Sequence, residues 1–283
     1  MASPTIEELV HAGSIEDENG FDAALEEDPQ MVISKGSVPG SPYSRVMLKM
    51  SGEALGGESG CGIDPGKAAF IAGKIKQVYD LGLQVGVVIG GGNLWRGSFG
   101  QEVDMDRTTA DHIGMLGTIM NGLTLRDSLE RLGVPARVQT AIHMNQVAEP
   151  YIRLRAIRHM DKGRVVIFAG GTGNPYFTTD SAAALRASEI DADIVVKATQ
   201  VDGVYTADPK KDPSATRYRQ ISFQDVLEKH LNVMDMTAFT LCQENKIPIL
   251  VVNFWEDDHL LRALQGDTSV GTLIDDTVET SHA

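Results

Sequence analysis

Short apolar runs separated by longer amphipathic segments organise most of this chain. The runs are mainly β-branched and contain few polar residues, which is typical of strands buried on both faces of a parallel sheet. They cover Arg45–Met50, Val85–Ile89, Val134–Val138, Arg164–Ala169, Ile194–Thr199 and Pro248–Phe254. The pattern predicts a strand at each of these positions.

The segments between the runs carry apolar residues at helical spacing. Asp64 and Pro65 supply the N-cap and the first residue of a helix that Gly82 ends. Further helical patterns cover Arg107–Leu132, 146–160, Ser181–Ala187, 222–231, 236–245 and Leu260–Leu264. Because a strand, a helix and a parallel strand make one βαβ unit, this order of elements predicts an α/β fold.

The two ends of the chain differ from this pattern. Residues 1–40 are dominated by acidic residues, with Gly, Ser and Pro towards the end, and we interpret them as a disordered or loosely attached extension. Residues 276–283 form a polar C-terminal tail. A solvated extension explains residues 1–40 without a further role, although a regulatory role is an alternative.

Composition and charge narrow the classes of function. The 283 residues include 42% hydrophobic and 23% charged residues, as in ordinary globular proteins. The formal net charge of −14 argues against binding to a nucleic-acid duplex, which needs a basic surface. No apolar run approaches the roughly 20 residues of a transmembrane helix, and the acidic N-terminus lacks a signal-peptide pattern, so we expect a cytoplasmic protein with no membrane partner. Cys61 and Cys242 lack metal-ligand spacing and are expected to be reduced thiols.

Two strand ends combine a basic residue with glycine-rich backbone. Gly90-Gly91-Gly92 follows the strand Val85–Ile89, and Arg96 comes shortly after it. Glycines let a ligand approach backbone N–H groups, and an arginine supplies a planar charged fork that suits phosphate. Lys49 ends the first strand just before Ser51-Gly52, where its ammonium can project into the crevice outside the sheet. The alternatives are a glycine-rich turn with a surface arginine, and a surface lysine on an edge strand.

A second glycine-rich loop follows the strand Arg164–Ala169. It runs from Gly170 to Asp180 and leads into a helix, whose N-terminus offers unpaired N–H donors and a partial positive charge. Two such loops after two strands favour an anion site. Asp180 could be the plain N-cap of the helix, or it could hold nearby lysines in position, and Lys197 ends another strand.

Three further side chains have two interpretations each. Asp111 lies near the start of the pattern Arg107–Leu132, where a carboxylate can accept hydrogen bonds from a sugar or be structural. Tyr205 could offer an aromatic face to a base or be a partly buried structural tyrosine. Asp235 precedes a helical segment, where an N-cap is the simplest explanation.

Several other nucleotide and hydrolase signatures are missing from the sequence. The chain has no Gly-x-x-x-x-Gly-Lys-Ser/Thr loop, no protein-kinase motif set, no Gly-x-Gly-x-x-Gly after a strand and no Gly-x-Ser-x-Gly elbow. These absences disfavour a P-loop kinase, a protein kinase, a dinucleotide dehydrogenase and a serine hydrolase. Strand-end lysines, two glycine loops and several loop aspartates suit phosphoryl transfer by positioning and electrostatics.

Four ordered stretches resemble the signatures of the bacterial uridylate kinase family, within the amino acid kinase superfamily. They are Lys49–Leu55, Gly90–Gly97, Gly171–Asp180 and Val201–Pro209, in a region from about Tyr43 to Ile274. The resemblance implies a three-layer α/β/α sandwich with a mainly parallel central sheet and a catalytic domain over residues 41–275. It also implies Mg²⁺-dependent transfer of the γ-phosphoryl group of ATP to UMP in pyrimidine nucleotide biosynthesis. It implies nothing for residues 1–40.

The resemblance further implies roles for individual residues. The expected catalytic residues are Lys49, Arg96, Asp180 and Asp235, of which Asp180 would orient the basic side chains and Asp235 would help organise the phosphate site. The residues expected to bind ATP are Lys49, Met50, Ser51, Gly52, Gly92, Arg96, Lys197, Thr199, Tyr205 and Asp208. The residues expected to bind UMP are Gly91, Asp111, Thr172, Gly173, Asn174, Pro175, Tyr176, Phe177, Thr178 and Thr179. No protein residue is expected to be a dedicated metal ligand.

Assembly and regulation are also implied by the resemblance. The family is typically a homohexamer that GTP activates and UTP inhibits. The stretch associated with GTP activation corresponds to Gly57, Glu58, Ser59, Gly60, Cys61 and Gly62.

Two other functions are alternatives. A superfamily member acting on a carboxylate or carbamate would not share the loop Gly171–Asp180. A nucleotide-binding regulator would have lost catalysis, and the joint presence of the four expected catalytic residues argues against that loss.

Overall fold

Ten strands form one sheet in the computed structural model, which describes residues 39–57, 60–96, 104–209 and 211–283. The strands are β1 (Arg45–Met50), β2 (Gln84–Ile89), β3 (Ala136–Thr140), β4 (Glu149–Pro150), β5 (Val165–Ala169), β6 (Ile194–Thr199), β7 (Tyr218–Ile221), β8 (Ile249–Asn253), β9 (Gly271–Ile274) and β10 (Ser281–His282). Their order across the sheet is β10-β7-β9-β8-β6-β1-β2-β5-β3-β4. Among these strands only the pairs β8–β9 and β7–β10 are antiparallel, so the sheet is mainly parallel.

Helices connect most of the strands. They are α1 (Pro65–Asp80), α2 (Arg107–Arg131), α3 (Arg153–Asp161), α4 (Thr179–Glu189), α5 (Phe223–Glu228), α6 (Met236–Glu244) and α7 (His259–Leu264), with 3₁₀ turns at Gly52–Leu55 and Thr268–Val270. Asp64 caps α1 by accepting from the Lys67 N–H, and Pro65 occupies its first turn. Gly82 follows the end of α1 with a φ of 86°, which confirms the predicted start and end of this helix.

Alternate residues of the central strands pack into two separate cores. In β1, Val46, Leu48 and Met50 pack with the layer that contains α1, α2 and α7. Met47 packs with the layer of α3, α4, α5 and α6, and Val195 of β6 lies on the same side. Because successive strand residues point to opposite faces, helices cover both faces of the sheet. This arrangement confirms the three-layer α/β/α sandwich.

Strand β1 lies where the order of the strands changes direction. The chain passes from β1 to β2 on one side and later crosses from β5 to β6 on the other side of β1. Lys49 and Lys197 are register partners in the neighbouring parallel strands β1 and β6. Open α/β sheets bind ligands in the crevice outside the carboxyl ends of their strands at such a point. The fold therefore places both lysines where a ligand site is expected.

The structure corrects several predicted boundaries. The strand predicted at Val134–Val138 lies at Ala136–Thr140. The helix predicted over 146–160 begins only at Arg153, because Glu149–Pro150 forms an edge strand that pairs with β3. Strands β7, β9 and β10 have no counterpart in the sequence prediction, and β10 pairs with β7 from within the polar C-terminal segment.

Some predictions fall outside the residues that the structure describes. These are residues 1–38 of the acidic extension, together with Glu58, Ser59 and Gly97. Within the described part of the chain, no helix has the length and apolar character needed to cross a membrane. The two cysteines lie at different depths, with Cys61 exposed and Cys242 buried.

Candidate active site

Two lysines and an aspartate form a largely buried charged cluster at the crevice. The alternation of strand residues puts Lys49 on the face of Met47 and Lys197 on the face of Val195. Asp180, in the first turn of α4, faces both of them. The Lys49 ammonium contacts Asp180 Oδ1, and the Lys197 ammonium lies 2.9 Å from Asp180 Oδ2. One carboxylate therefore bridges two ammonium groups, and the cluster has one excess positive charge.

Burial and mutual attraction shift the pKa values in this cluster. Burial of Asp180 favours its neutral form, but the ammonium groups of Lys49 and Lys197 outweigh burial and hold the pKa of the carboxyl below its usual 3.8. Burial also lowers the pKa of Lys197 from its usual 10.5, with Asp180 opposing and Lys49 adding to the shift. At neutral pH the Asp180 carboxylate is therefore ionised and holds both lysines.

Lys197 is held from a second side as well. Its ammonium donates to the backbone carbonyl of Val233 at 2.6 Å. Val233 lies in the segment between α5 and α6, so the lysine connects β6 to that segment as well as to α4. Two acceptors on different elements fix the direction of the ammonium group.

Asp235 joins the N-termini of two helices beside the cluster. It is the N-cap of α6, since its carboxylate accepts from the Ala238 N–H at 2.8 Å. It also accepts hydrogen bonds from the hydroxyl groups of Thr178 and Ser181. Thr178, and not Asp180, is the N-cap of α4, because its hydroxyl accepts from the N–H groups at the start of that helix. Two helix ends with partial positive charge are thereby held next to the lysines.

Gly52 and Gly91 pack so closely against neighbouring backbone that side chains are excluded at these two positions. A Cβ atom on Gly52 would overlap the Gly90 carbonyl, and one on Gly91 would lie 2.6 Å from the Gly114 carbonyl oxygen of α2. The Gly90 N–H donates to the Met50 carbonyl at 3.0 Å, which ties the loop to the end of β1. Packing of backbone against backbone therefore requires these glycines.

Arg96 lies at the rim of the crevice and not in the lysine cluster. Its guanidinium pairs with Glu53 at 2.9 Å, and the side chains of Arg96 and Glu53 are 46% and 52% exposed. Glu53 belongs to the 3₁₀ turn after β1, so this pair bridges the loops that follow β1 and β2. Binding of phosphate by Arg96 would require the guanidinium to exchange Glu53 for the ligand.

A cavity of about 290 Å³ opens between the two glycine loops and α2. Six of the residues expected to bind UMP line it, namely Gly91, Asp111, Thr172, Phe177, Thr178 and Thr179. Gly92, which is expected to bind ATP, lines it too. The cavity does not include Gly173, Asn174, Pro175 or Tyr176 among its lining residues. The geometry thus brings most of this expected set to one concave surface.

Asp111 fixes the far end of the second glycine loop. Its carboxylate accepts from the Tyr176 N–H at 2.8 Å. The Arg107 guanidinium lies 4.7 Å from the centre of the Tyr176 ring, and Tyr176 itself has a φ of 74°. A carboxylate has about four acceptor positions, so Asp111 can hold this N–H and still accept from a sugar hydroxyl.

Two further cavities meet at Lys197 and Thr199. One of about 630 Å³ also includes Tyr205 and Asp208 of the residues expected to bind ATP. The other, of about 190 Å³, also includes Lys49, Met50 and Ser51 of that set. Gly52, Gly92 and Arg96 line neither cavity. Seven of the ten expected ATP residues therefore line one or both of these cavities.

Tyr205 has features of both a structural tyrosine and an aromatic side chain at a ligand site. Its hydroxyl donates to Asp202 at 2.7 Å, and burial together with this carboxylate raises the pKa of the phenol. The side chain also lines the cavity of about 630 Å³. The hydrogen bond to Asp202 holds the side chain in place at the wall of that cavity.

The stretch expected to respond to GTP touches the first glycine loop. The Gly60 N–H donates to the Gly57 carbonyl at 2.8 Å, and the Gly62 N–H donates to the Asn93 carbonyl at 2.8 Å. Cys61 is exposed, and Glu58 and Ser59 lie outside the described residues. The described part of the stretch is therefore bonded to the residue that follows Gly90-Gly91-Gly92.

Sequence reasoning missed several residues at these cavities. Trp95 and Thr118 line the cavity of about 290 Å³, Trp255 lines that of about 190 Å³, and residues 229–233 form part of the wall of that of about 630 Å³. Trp255 follows the end of β8, so its position after a strand is a signal that could have found it. Thr118 and residues 229–233 follow no strand end, and their sequence carries no comparable signal.

The three-layer fold and the lysine-containing crevice agree with the result of a comparison with known protein families. The model of the family described as "Amino acid kinase family" matches residues 44–253. This match extends over more than half of the chain, and the chain belongs to the amino acid kinase family.

Within that family the chain is similar to two bacterial UMP kinases of known structure. The UMP kinase from Bacillus anthracis is 44% identical with a TM-score of 0.83, and the similarity covers 86% of this chain and 99% of that one. The UMP kinase from Ureaplasma parvum is 39% identical with a TM-score of 0.78, covering 82% of this chain and 98% of that one. These similarities confirm the resemblance to bacterial uridylate kinases that the four sequence stretches indicate.

Proposed function

We propose that this protein is a UMP kinase, which transfers the γ-phosphoryl group of ATP to UMP and forms UDP and ADP. The observation that carries the proposal is the Lys49–Asp180–Lys197 cluster, which lies at the carboxyl ends of β1 and β6 with one excess positive charge. Three cavities surround the elements that bear it. The similarity to two UMP kinases supports UMP as the acceptor.

The reaction needs no general base from the protein. An oxygen of the UMP phosphate attacks the γ-phosphorus, the bond from that phosphorus to the bridging oxygen breaks, and ADP leaves with the electron pair. Because the attacking oxygen is already ionised near neutral pH, the main barriers are alignment and the repulsion between two polyanions. Lys49 and Lys197 offset this repulsion, and Asp180 keeps them in place without neutralising both.

We assign the three cavities to the two substrates. We assign the cavity of about 630 Å³ to the adenosine end of ATP, beside Thr199, Tyr205 and Asp208. The cavity of about 190 Å³ suits the phosphate chain, because Lys49 and Lys197 both line it. The cavity of about 290 Å³ suits UMP, because Asp111 and residues of the loop that begins at Gly171 line it.

The described residues fit a magnesium ion that arrives on the substrate phosphates. They contain no group of three or more His, Cys, Asp and Glu side chains that could hold a metal. The Asp180 carboxylate is engaged by two ammonium groups. Mg²⁺ commonly binds through substrate phosphates with few protein ligands, and when bound it neutralises phosphate charge. The part of this chain is to hold the phosphates with Lys49 and Lys197.

Assembly and regulation are extensions of the same proposal. By resemblance we expect a cytoplasmic homohexamer of pyrimidine nucleotide biosynthesis, activated by GTP and inhibited by UTP. The hydrogen bond between Gly62 and Asn93 supports a direct effect of the stretch Gly57–Gly62 on the first glycine loop. Sedimentation tests the assembly. If saturating GTP changes neither kcat nor the UTP inhibition curve, the regulatory part is wrong.

The release of ADP from Mg-ATP, measured with UMP, CMP and dUMP in parallel, tests the activity. We expect strong turnover with UMP alone. Lys49→Met removes the charge and keeps an apolar stem, and we expect it to lower kcat about 10²- to 10³-fold, as for the loss of one charge-stabilising donor. Lys76→Met, on the exposed side of α1, is the matched control and should leave kcat unchanged. Near-normal turnover in folded Lys49→Met would remove Lys49 from the mechanism.

The two alternative functions give different results in binding experiments. The chain has two tryptophans, and Trp95 lines the cavity assigned to UMP whereas Trp255 lines that assigned to the phosphate chain of ATP. The variant Trp255→Phe therefore reports on UMP, and Trp95→Phe reports on ATP. A regulator would give both fluorescence changes without turnover. A kinase of carboxylates or carbamates would respond to ATP and not to UMP.

A further inference from the structure

Helix α2 carries a polar stripe that touches both glycine loops. Asp111, Thr118 and Asn121 are spaced so that they lie on one side of a helix with about 3.6 residues per turn. Thr118 and Asn121 are buried, with 3% and 0% exposure. Buried polar side chains are normally hydrogen-bonded, and each of these two bonds a backbone group of one glycine loop.

Thr118 binds the start of the second glycine loop. Its hydroxyl donates to the Met115 carbonyl at 2.7 Å and accepts from the Gly170 N–H at 2.8 Å. The bond to Met115 fixes the rotation of the hydroxyl, so that a lone pair faces Gly170. Gly170 has a φ of 77°, and a Cβ atom there would lie 2.9 Å from the Thr140 hydroxyl oxygen. The loop therefore begins at a tightly held backbone position.

Asn121 binds the first glycine loop through a pair of amides. Its amide nitrogen donates to the Gly90 carbonyl and to Asn93 Oδ1, both at 2.7 Å. The Asn93 amide nitrogen donates to Asn121 Oδ1 at 3.1 Å and to the Gly62 carbonyl at 2.7 Å. All four side-chain N–H donors of the pair are used, which fixes the orientation of both amides.

We propose that Thr118 and Asn121 are positioning residues for phosphoryl transfer, through which α2 sets the separation of the two glycine loops. This inference rests on the proposed kinase function. Gly91 and Gly92 of the first loop and Gly171 and Thr172 of the second loop all line the cavity of about 290 Å³. One helix bonded to both loops therefore fixes the width of the acceptor site. Thr118 acts on the acceptor loop, and Asn121 acts on the loop shared by donor and acceptor.

The kinetic test uses substitutions that separate the hydroxyl from the shape of Thr118. Thr118→Val leaves the Gly170 N–H without its acceptor, so we expect the KM for UMP to rise about tenfold while the KM for ATP changes less than about twofold. Thr118→Ser retains the hydroxyl and should restore the KM for UMP. Thr124→Val is the matched control, since the Thr124 hydroxyl donates to the Met120 carbonyl of the same helix.

Asn121→Asp tests the other loop. The carboxylate has no N–H to donate and would face the Gly90 carbonyl and the Asn93 amide oxygen, so we expect KM to rise for both nucleotides. Equal changes in both KM values for Thr118→Val would overturn the proposal. Unchanged KM values in folded Thr118→Val would overturn it as well.

Hydrogen exchange of the protein without nucleotide gives a readout that does not depend on catalysis. We expect faster exchange within 170–179 in Thr118→Val than in the wild type, and no change there in Thr118→Ser or Thr124→Val. Unchanged exchange in Thr118→Val would overturn the role of Thr118. A wild-type protein that does not phosphorylate UMP would refute the proposed function, and the exchange result would still decide whether Thr118 holds the loop.

Discussion

A carboxylate between two ammonium groups responds to substitution differently from an ordinary ion pair. Loss of one lysine leaves Asp180 with the other lysine as a neutral pair. Loss of the carboxylate leaves two like charges facing each other at a largely buried site. Removing one partner of a buried pair commonly costs about 3–5 kcal/mol, because the remaining charge is uncompensated. The residues of this cluster should therefore differ in their effects on stability even where they agree in their effects on turnover.

We expect Asp180→Asn to lower the free energy of unfolding by about 3 kcal/mol, and Lys49→Met to change it by less than about 1 kcal/mol. Both variants should lose most of their turnover, because Asp180→Asn releases the two lysines and Lys49→Met removes one of them. Urea denaturation of the two variants beside the wild type makes the comparison. A greater loss of stability in Lys49→Met than in Asp180→Asn would contradict the excess positive charge of the cluster.

Because the pKa of Asp180 is lowered, its contribution to the free energy of unfolding depends on pH with a defined sign. Since the folded pKa lies below the usual 3.8, the stabilisation is fully present above the unfolded pKa and is lost as the pH falls through the folded pKa. We expect the difference in unfolding free energy between wild type and Asp180→Asn to be constant between about pH 5 and 7, and to shrink below about pH 4. Urea denaturation at stepped pH measures it. A difference that grows as the pH falls would contradict the assignment.

At the scale of elements, the contact between the 3₁₀ turn after β1 and the triple-glycine loop is open to a direct test. A Cβ atom on Gly52 would overlap the Gly90 carbonyl and lie 2.7 Å from Asn93 Oδ1. We expect Gly52→Ala to destabilise the protein by about 1–3 kcal/mol, as overpacking commonly does, and to abolish most turnover because it separates β1 from the loop. Urea denaturation and the ADP-release assay measure both effects.

Gly73 provides the control for this substitution. It lies inside α1, and a Cβ atom there would meet nothing within 4 Å. Gly73→Ala should therefore stabilise the protein by about 0.5–1 kcal/mol and leave turnover intact. If Gly52→Ala behaves like Gly73→Ala, close packing at the end of β1 is not what the site requires.

The sequence predicted those strands and helices whose apolar pattern is complete within the element itself. Central strands such as β1, β2 and β5 are apolar on both faces, and α2 repeats its pattern over many turns. Strand β7 is four residues long with Arg219 exposed, so its pattern is too short and too polar to be recognised. The predicted start of α3 was wrong because Glu149–Pro150 pairs with β3, a tertiary contact that overrides the helical pattern of the segment.

The difference between local patterns and long-range contacts also explains which site residues could be predicted from the sequence. Lys49, Lys197 and Asp180 stand at strand ends or directly after a glycine loop, and parallel topology gathers such positions at one edge of the sheet. Thr118 and Asn121 lie within a helix, and their loop partners Gly170 and Asn93 are 52 and 28 residues away in sequence. A contact over such a separation leaves no periodic trace, so only the structure reveals it.

At the scale of the whole molecule, all three layers contribute to the crevice. The sheet supplies Lys49 and Lys197, and the helical layer on one face supplies Asp180 and Asp235. The layer on the other face supplies α2 with Asp111. Because the sheet and both helical layers each supply charged groups, any rearrangement between layers would change the site, and residues 41–283 hold every group that the mechanism uses.

The acidic segment 1–40 should therefore be dispensable for catalysis. It holds nine acidic residues and one lysine, a formal charge of −8 out of the −14 of the chain, and the family match begins only at residue 44. A chain that starts at Ser41 keeps the hydrogen bond from the Ser41 hydroxyl to the Leu264 carbonyl at 2.7 Å. We expect its kcat and its free energy of unfolding to match those of the full chain.

The remaining effect of the segment should be electrostatic. Its negative charge repels polyanionic nucleotides, so the shortened chain should have a lower KM for ATP at low ionic strength. The two KM values should converge at about 0.15 M salt, where the screening length is about 8 Å. Steady-state kinetics of both chains across a salt series measures this. A shortened chain with reduced kcat at every salt concentration would show that residues 1–40 act in catalysis or assembly and are more than a charged extension.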